Sequence, residues 1–291
     1  MLHQFPLEAT SRAPLAPRTV DETGVGQKIL FGLIFKAMYV LGLSVPTALS
    51  KELKLSRGIV EFLLEDAKEQ SLVEVLGALG AQGPSPLAEL RYTLTGKGRD
   101  WAIDALSQSQ YVGPVPVTLD AFRNQVERQK VANERPNFAT FGECFSSLVM
   151  PETLVKRLGP AVFSGRSILV YGPPGNGKTV VAEAIGKVFE QTIFVPHCIE
   201  VDGQIIKIFD TTVHRVAEKR GDGARGRSRQ GEEPDPRWVE CHRPVVVTGG
   251  ELTLDMLDLS FNPYARFYEA PMQMKATGGL FIIDDFGRQL V

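Results

Sequence analysis

The chain has 291 residues, of which 43% are hydrophobic and 23% are charged, and its formal net charge is −2. This composition describes a soluble globular protein with room for two domains of ordinary size. The small net charge gives no global electrostatic reason to bind nucleic acid or an anionic membrane. The three widely spaced cysteines, Cys144, Cys198 and Cys241, predict reduced thiols in the cytoplasm rather than disulfides or a zinc site.

Residues 1–20 are rich in proline and alanine and have no periodicity, so we expect a disordered leader. The most apolar stretch, residues 29–43, is shorter than the roughly 20 residues that a membrane span needs. It also lies behind the acidic residues Asp21 and Glu22, which is not typical of a signal peptide. We therefore predict a buried amphipathic helix there and no membrane span.

Residues 21–112 predict a separate domain. Apolar periodicity and turn residues indicate helices at 25–41, 47–53 and 57–70, strands at 71–76 and 89–94, and a last helix at 96–107. Thr47, Ser56 and Thr95 are suited to cap three of these helices. Three helices and a two-stranded wing predict a winged helix-turn-helix, and residues 91–99 resemble the corner between the wing and the next helix in many such domains.

The distribution of charges in this domain does not favour DNA binding. Residues 25–110 contain nine Lys/Arg and nine Asp/Glu residues. The third helix carries two basic residues, Arg57 and Lys68, and four acidic residues, which are Glu61, Glu65, Asp66 and Glu69. Because phosphate neutralisation supplies most non-specific affinity for DNA, an acidic recognition helix opposes binding. We expect the domain to contact protein or support an oligomer, with DNA as the less favoured alternative.

Residues 113–136 predict a linker that contains one short polar helix, 121–132, started by Thr118 or Asp120. A nucleotide-binding domain is expected from residue 137 to 291. A helix at 151–157 is expected to end at Gly159-Pro160. The apolar residues at 145–150 either pack on an adenine ring or belong to the core, and core packing is the simpler reading.

Residues 172–179 read Gly-Pro-Pro-Gly-Asn-Gly-Lys-Thr and match the phosphate-binding pattern G-x-x-x-x-G-K-[ST]. The apolar run 167–171 predicts a short buried strand before the loop, and 180–191 predicts a helix after it. Lys178 is expected to reach the β- and γ-phosphates and Thr179 to ligate Mg²⁺. The residues expected to contact the nucleotide are Gly172, Pro173, Pro174, Gly175, Asn176, Gly177, Lys178, Thr179 and Val180.

The segment after this loop predicts further elements. Asp202-Gly203 between two apolar runs indicates a hairpin at 198–209. The polar residues 214–237 predict a solvated mobile loop, with contact to an anion or nucleic acid as the alternative. A strand at 244–248 and a helix at 251–259 follow, and Phe267-Tyr268 is expected in a loop.

Residues 280–285 read Leu-Phe-Ile-Ile-Asp-Asp, which is typical of a buried parallel strand with acids at its carboxyl end. Ligands bind at that end of the strands in open α/β sheets. Asp284 is therefore expected to hold Mg²⁺, and Asp285 to orient or deprotonate the attacking water.

Taken together, Gly-Pro-Pro-Gly-x-Gly-Lys-Thr and the apolar-Asp-Asp strand make residues 137–291 resemble an AAA+ ATPase. The resemblance implies an α/β P-loop core of three layers that hydrolyses ATP with Mg²⁺ and assembles as a homo-oligomeric, hexameric ring. With the winged-helix front end it is similar to bacterial AAA+ proteins, and it implies remodelling of protein assemblies. A DNA-binding regulator or loader and an ATP-binding scaffold with low turnover remain alternatives.

Three features depart from or extend the family pattern. The family usually carries Glu at the position of Asp285, which leaves fast hydrolysis open. Phe267-Tyr268 could face the pore of such a ring, although core packing is the simpler reading. The resemblance also implies a sensor strand between the two motif strands, an arginine finger and a helical lid, for which residues 286–291 leave no room. We therefore expect a fragment cut after the Asp-Asp strand, poorly stable and nearly inactive.

Overall fold

The computed structural model describes residues 13–79, 89–134, 138–146, 148–173, 175–218 and 233–287. The N-terminal part contains four helices, α1 (Gln27–Leu41), α2 (Pro46–Leu53), α3 (Arg57–Glu69) and α4 (Gly96–Gln108). Its two strands, β1 (Val73–Leu79) and β2 (Glu89–Leu94), lie between α3 and α4 and pair antiparallel. The helix and strand order expected from the sequence is present.

Helix α1 forms the centre of the N-terminal core. Its buried side chains include Phe31 and Phe35, which stack on each other and meet the edge of Trp101 on α4. Lys36 is also buried on this helix, and its ammonium donates a hydrogen bond to the carbonyl oxygen of Ser109 over 3.0 Å. In the described part of the chain, no single helix is long and apolar enough to cross a membrane, whereas α1 and α2 pass that test only together, bent by 111°.

Local capping chemistry decides where several helices begin. Ser56, Thr95 and Thr118 accept hydrogen bonds from the amides of Ile59, Gly98 and Ala121. The predicted caps at Ser56 and Thr95 are confirmed, and of the alternatives Thr118 and Asp120 it is Thr118 that caps the helix. The predicted cap at Thr47 is wrong, because α2 begins one residue earlier at Pro46. Proline suits the first position of a helix, where its missing N–H costs nothing. Thr47 instead donates from its amide to the carboxylate of Glu89 over 2.8 Å.

Residues 113–134 pack against both neighbouring parts of the chain, since Val115 lies in the core of the N-terminal part and Val117 in the core that follows. Strand β3 (Val117–Thr118) pairs parallel with β5 (Cys198–Val201), and α5 (Leu119–Arg128) follows it. The five strands of this mixed sheet lie in the order β3-β5-β6-β10-β9, where β6 is Gln204–Lys207, β9 is Ser260–Asn262 and β10 is Phe267–Glu269. The expected linker therefore supplies an edge strand to a sheet whose other strands lie far away in sequence.

The predicted hairpin around Asp202-Gly203 is confirmed, since β5 and β6 pair antiparallel across these two residues. Both have positive φ, 50° and 80°, as a tight turn of this kind requires. Phe267 and Tyr268 lie in β10 and not in a loop, because Tyr268 pairs with Ile206 of β6. Both aromatic side chains are half-buried, which supports core packing as their role.

The α/β part that carries the two motifs contains α6 (Phe138–Phe145), α7 (Glu152–Phe163), α8 (Lys178–Gly186) and the short helix α9 (Met272–Lys275). Strand β8 (Val245–Thr248) pairs parallel with β11 (Leu280–Ile283), and β4 (Ile193–Pro196) pairs antiparallel with β7 (Trp238–Cys241). Buried side chains of α6, α7 and α8 pack together in one cluster. This mixed α/β architecture with parallel strands is compatible with a P-loop core.

Three local expectations for this part are wrong. Residues 167–171 form no strand, and their side chains are exposed, Tyr171 to 88%. An apolar run becomes a strand only where a partner satisfies its backbone, and none of the described strands pairs with it. Helix α7 continues through Pro160 to Phe163, because Leu158 and Val162 are held in the α6–α8 cluster. Residues 251–259 contain only the single turn Asp255–Leu257, where a longer helix was expected.

Most of the predicted polar loop 214–237 lies outside the described residues, which omit 219–232. Its described ends are mostly exposed but include three buried polar residues, His214, Asp235 and Arg237. His214 is buried, and its Nδ1 accepts a hydrogen bond from the amide of Asp210 over 3.0 Å. Asp235 and Arg237 form a buried ion pair of 2.8 Å. The polar composition of this segment therefore does not mean that all of its residues are exposed.

Candidate functional site

The glycines of residues 172–179 give the phosphate-binding pattern its curvature. Gly172, Gly175 and Gly177 have φ values of 156°, 83° and 71°, a region that other L-residues rarely adopt. Helix α8 begins at Lys178 directly after this turn, and its first intrahelical bond runs from the amide of Val181 to the carbonyl of Gly177. The amides that precede Val181 have no partner within the helix and, with the helix dipole, can receive an anion.

Lys178 lies across this loop. Its ammonium donates to the carbonyl oxygens of Gly172 over 3.2 Å and of Pro173 over 3.0 Å. The Lys178 ammonium therefore lies within the curve of the loop backbone, where a phosphate group would also lie. Pro174, which the sequence analysis included among the contact residues, lies outside the described residues. Val180 is half exposed on the first turn of α8.

Thr179 and Asp284 bring the two sequence motifs together. The Thr179 hydroxyl donates to Oδ2 of Asp284 over 2.7 Å. Asp284 follows β11 directly, and its amide donates to the carbonyl of Thr248 at the end of β8 over 2.7 Å. The hydrogen bond from Thr179, together with that from the amide of Asp285, holds the pKa of the Asp284 carboxyl below its usual value. Asp284 is thus a carboxylate at the carboxyl end of two parallel strands.

Asp285 occupies the next position, with an exposed side chain. Its φ of 50° is unusual for a non-glycine residue, and its amide donates to Oδ1 of Asp284 over 2.9 Å. The backbone turns sharply here, so the two carboxylates of the Asp-Asp pair leave the strand in different environments. One is tied to the glycine-rich loop and the other faces solvent.

The donor set at this point fits a magnesium nucleotide. Mg²⁺ prefers oxygen ligands and is usually held by one or two protein groups, the rest coming from phosphates and water. Thr179 and Asp284 supply one hydroxyl and one carboxylate side by side. Among the described residues, no group of three or more His, Cys, Asp or Glu side chains could hold a metal ion. A cation at this point would therefore depend on a phosphate ligand to complete its shell.

Of the apolar residues at 145–150, Phe145, Leu148 and Met150 pack in or against the core, whereas Val149 is fully exposed. Phe145 is buried, and its ring lies against Phe141 with centroids 4.9 Å apart. Both pack with Val181 and Ile185 of α8, while Leu148 and Met150 lie at the edge of the cluster. This part of the expected adenine contact is occupied by packing against the helix that carries Thr179.

A buried polar cluster that the sequence did not predict lies beside this site. Glu134, near the end of the expected linker, and Arg243, two residues before β8, form an ion pair of 2.9 Å that is almost wholly buried. A charged residue in a polar segment carries no periodic signal.

Comparisons with known proteins were made for the whole chain, and no model of a known protein family matches it. The chain is 49% identical to the vesicle-fusing ATPase of Dictyostelium discoideum over 47 residues, which are 16% of this chain. It is 45% identical to the vesicular-fusion protein sec18 of Schizosaccharomyces pombe over 49 residues, or 17% of this chain. Each match spans 6% of the relative's own length. Over this short segment the chain is similar to AAA+ ATPases.

Proposed function

We propose that this protein is an ATP-binding AAA+ ATPase. The observation that carries the proposal is the hydrogen bond between Thr179 and Asp284, which are 105 positions apart and belong to two independent motifs. A glycine-rich loop alone matches many unrelated chains by chance, whereas this loop meets a strand-terminal carboxylate in space. The short similarity to the vesicle-fusing ATPase supports the same reading.

In this proposal each residue of the site has one role. Amides of residues 175–179 bind phosphate oxygens, and Lys178 neutralises the β- and γ-phosphates. Thr179 and Asp284 hold Mg²⁺, which, when bound, neutralises charge on the phosphates. Asp285 accepts a hydrogen bond from the attacking water and orients it. Asp285 is one methylene shorter than the Glu that the family usually carries, so an ATP-binding scaffold with low turnover is the second candidate.

Binding of a fluorescent ATP analogue to the full chain, with and without Mg²⁺, tests the nucleotide site. We expect Lys178→Ala to weaken binding about tenfold to a hundredfold, because it removes a charge-assisted contact. Lys187→Ala, one residue beyond the same helix and exposed, is the matched control and should stay within about twofold of the wild type. Equal affinity of the wild type and Lys178→Ala would refute the proposal.

For the N-terminal part we propose a winged-helix domain of the bacterial type that acts as a protein adaptor. The cations of α3 are neutralised within the helix, by the pairs Arg57–Glu61 at 2.6 Å and Lys68–Glu65 at 2.9 Å. The same helix exposes Phe62 to 62%, which suits a protein contact better than a phosphate backbone. Salt-dependent binding of the chain to duplex DNA at sub-micromolar affinity would favour the DNA-associated alternative.

Assembly and substrate follow from the resemblance alone. We propose a homo-oligomeric, hexameric ring in the cytoplasm that remodels a protein substrate not yet identified. Light scattering coupled to size-exclusion chromatography, with ATP and Mg²⁺ present and absent, tests the assembly. A monomer under both conditions at high protein concentration would remove the ring from the proposal and leave nucleotide binding untouched.

A further inference from the structure

Glu134 joins the end of the linker to the chain that follows the phosphate-binding helix. Its side chain is 6% exposed. Oε1 accepts hydrogen bonds from the amides of Glu190 over 3.0 Å and Gln191 over 3.1 Å. Oε2 accepts from Nε of Arg243 over 2.9 Å. One carboxylate thus holds the segment after α8 and a buried guanidinium at the same time.

Arg243 extends this contact to the two parallel strands. Its side chain is 3% exposed, and it donates to the carbonyl of Gln129 over 2.8 Å and to the carbonyl of Gly278. Arg243 lies two residues before β8, and Gly278 lies two residues before β11. The amide of Leu280 donates to the carbonyl of Pro244 over 2.8 Å as the first rung between these strands. The guanidinium therefore binds the chain just before β11, beside the end of the strand pair where the pairing begins.

The backbones that lead into β8 and β11 are in close contact at this end of the strands. A Cβ atom on Gly279 would lie 2.1 Å from the carbonyl oxygen of Pro244. Strand β11 is four residues long, so its other end, where Asp284 begins, is only about 13 Å away. A strand and a helix are stiff over this length, and a shift at one end is carried to the other.

Stability alone is a poor explanation for this pair. Burying two charges costs solvation free energy that the ion pair roughly repays, and well-packed apolar residues often stabilise a core as well or better. The charged pair adds geometric specificity. The carboxylate accepts hydrogen bonds from two backbone amides, and the guanidinium donates hydrogen bonds to two backbone carbonyls. Those backbone groups belong to the linker, to the segment after α8 and to the residues just before β11.

We propose that Glu134 and Arg243 are positioning residues that set the placement of Thr179 relative to Asp284. The inference rests on the proposed function, because it concerns the geometry of the proposed nucleotide site. Glu134 lies on the linker, so it also joins the N-terminal part of the chain to that geometry. Displacement of the linker would move α8 against β11 and change nucleotide affinity.

The test compares two buried ion pairs in the full chain. Glu134→Gln keeps the shape of the side chain and removes its charge. Asp235→Asn does the same to the pair of Asp235 with Arg237, whose side chains are 2% and 6% exposed. Arg237 donates to the carbonyls of Thr23 and Pro116, and therefore ties the N-terminal part to the linker instead of α8 to β11. Urea unfolding measures the stability that each variant loses.

Affinity for a fluorescent ATP analogue with Mg²⁺ is then measured where each variant is fully folded. We expect Glu134→Gln to weaken binding about tenfold and Asp235→Asn to stay within about twofold of the wild type. The positioning role would be overturned if both variants lost affinity in proportion to their lost stability. It would also be overturned if neither variant lost affinity.

Hydrogen exchange without nucleotide keeps the test independent of the proposed function. We expect faster amide exchange in α8 and β11 of Glu134→Gln, and unchanged exchange there in Asp235→Asn. If the wild type binds no nucleotide, the proposed function fails while this comparison still decides whether the pair holds α8 against β11. Unchanged exchange in Glu134→Gln would refute the inference.

Discussion

Thr179 and Asp284 meet over 2.7 Å, although 105 positions separate them in the chain. Helix α8 carries the first and strand β11 precedes the second, so the hydrogen bond reports how these two elements are placed. The same contact lowers the pKa of the Asp284 carboxyl, so this group stays ionised at pH values below its usual pKa. The chemistry expected of the site therefore depends on one helix–strand arrangement.

Replacing Asp285 tests whether the shorter carboxylate limits hydrolysis. We expect Asp285→Glu to raise phosphate release by about tenfold or more, because the longer side chain can reach the attacking water from the same backbone position. Nucleotide affinity should change little, since Thr179 and Asp284 are untouched. Phosphate release and analogue binding are measured on the same preparations.

Asp285→Asn is the control for this change and should abolish release without loss of binding. A turnover of Asp285→Glu equal to that of the wild type would favour the low-turnover scaffold, provided that both bind nucleotide.

Two glycines of α4 give a matched test of packing. A Cβ atom on Gly98 would lie 2.0 Å from the carbonyl oxygen of Leu72, whereas one on Gly96 would have no atom within 4 Å. We expect Gly98→Ala to lower the free energy of unfolding by about 2 to 3 kcal/mol through overpacking. Gly96→Ala should change it by less than about 1 kcal/mol in either direction. Urea unfolding followed by circular dichroism measures both, and similar values for the two variants would contradict the close approach of α4 to Leu72.

Lys36 predicts a pH dependence of stability. Burial lowers its pKa to about 8 in the folded chain, from a usual value near 10.5. Between these two pH values the unfolded chain binds one proton more than the folded chain, so stability rises with pH there and falls as pH drops towards 8. Lys36→Met should remove this slope and raise the free energy of unfolding at pH 7 by about 1 to 3 kcal/mol.

Lys28→Met on the exposed side of α1 is the matched control and should leave the slope unchanged. Parallel pH profiles for the wild type and Lys36→Met would contradict the burial of a charged ammonium at this position.

The thiols should differ sharply in reactivity. Burial raises the pKa of Cys198 to about 12, with the Tyr111 hydroxyl 3.2 Å from its sulfur, and burial likewise raises the pKa of Cys241 to about 12. Each is then a thiolate in about one molecule in ten thousand at pH 8. Cys144 is only half-buried, so iodoacetamide should label it first, and Cys144→Ser should label only after urea is added. Rapid labelling of all three thiols in the folded chain would contradict this packing.

Short sequence patterns correctly predicted the helix caps and turns that depend only on neighbouring residues. The caps at Ser56, Thr95 and Thr118 each satisfy an amide within three residues, and the Asp202-Gly203 turn needs only two positive φ values. The positive φ values of Gly172, Gly175 and Gly177 likewise follow from a short pattern. Such features are encoded in a few consecutive side chains, and reading them requires no knowledge of the rest of the molecule.

Local rules failed where a distant partner decides the outcome. Residues 167–171 have the composition of a buried strand but lie exposed and unpaired by any described strand. Phe267 and Tyr268 are in a strand because β6 lies beside them. Helix α7 passes through Pro160 because α6 and α8 hold its apolar face.

The amino-acid sequence by itself determined the phosphate-binding pattern at 172–179, the carboxylates after the strand that ends at Ile283, and the three helix starts capped by Ser56, Thr95 and Thr118, because short-range sterics and capping suffice for these. Only the tertiary structure decided that Thr179 touches Asp284 and that Glu134 pairs with Arg243. A hydrogen bond or buried ion pair depends on distances of about 3 Å, and packing between elements remote in sequence sets those distances.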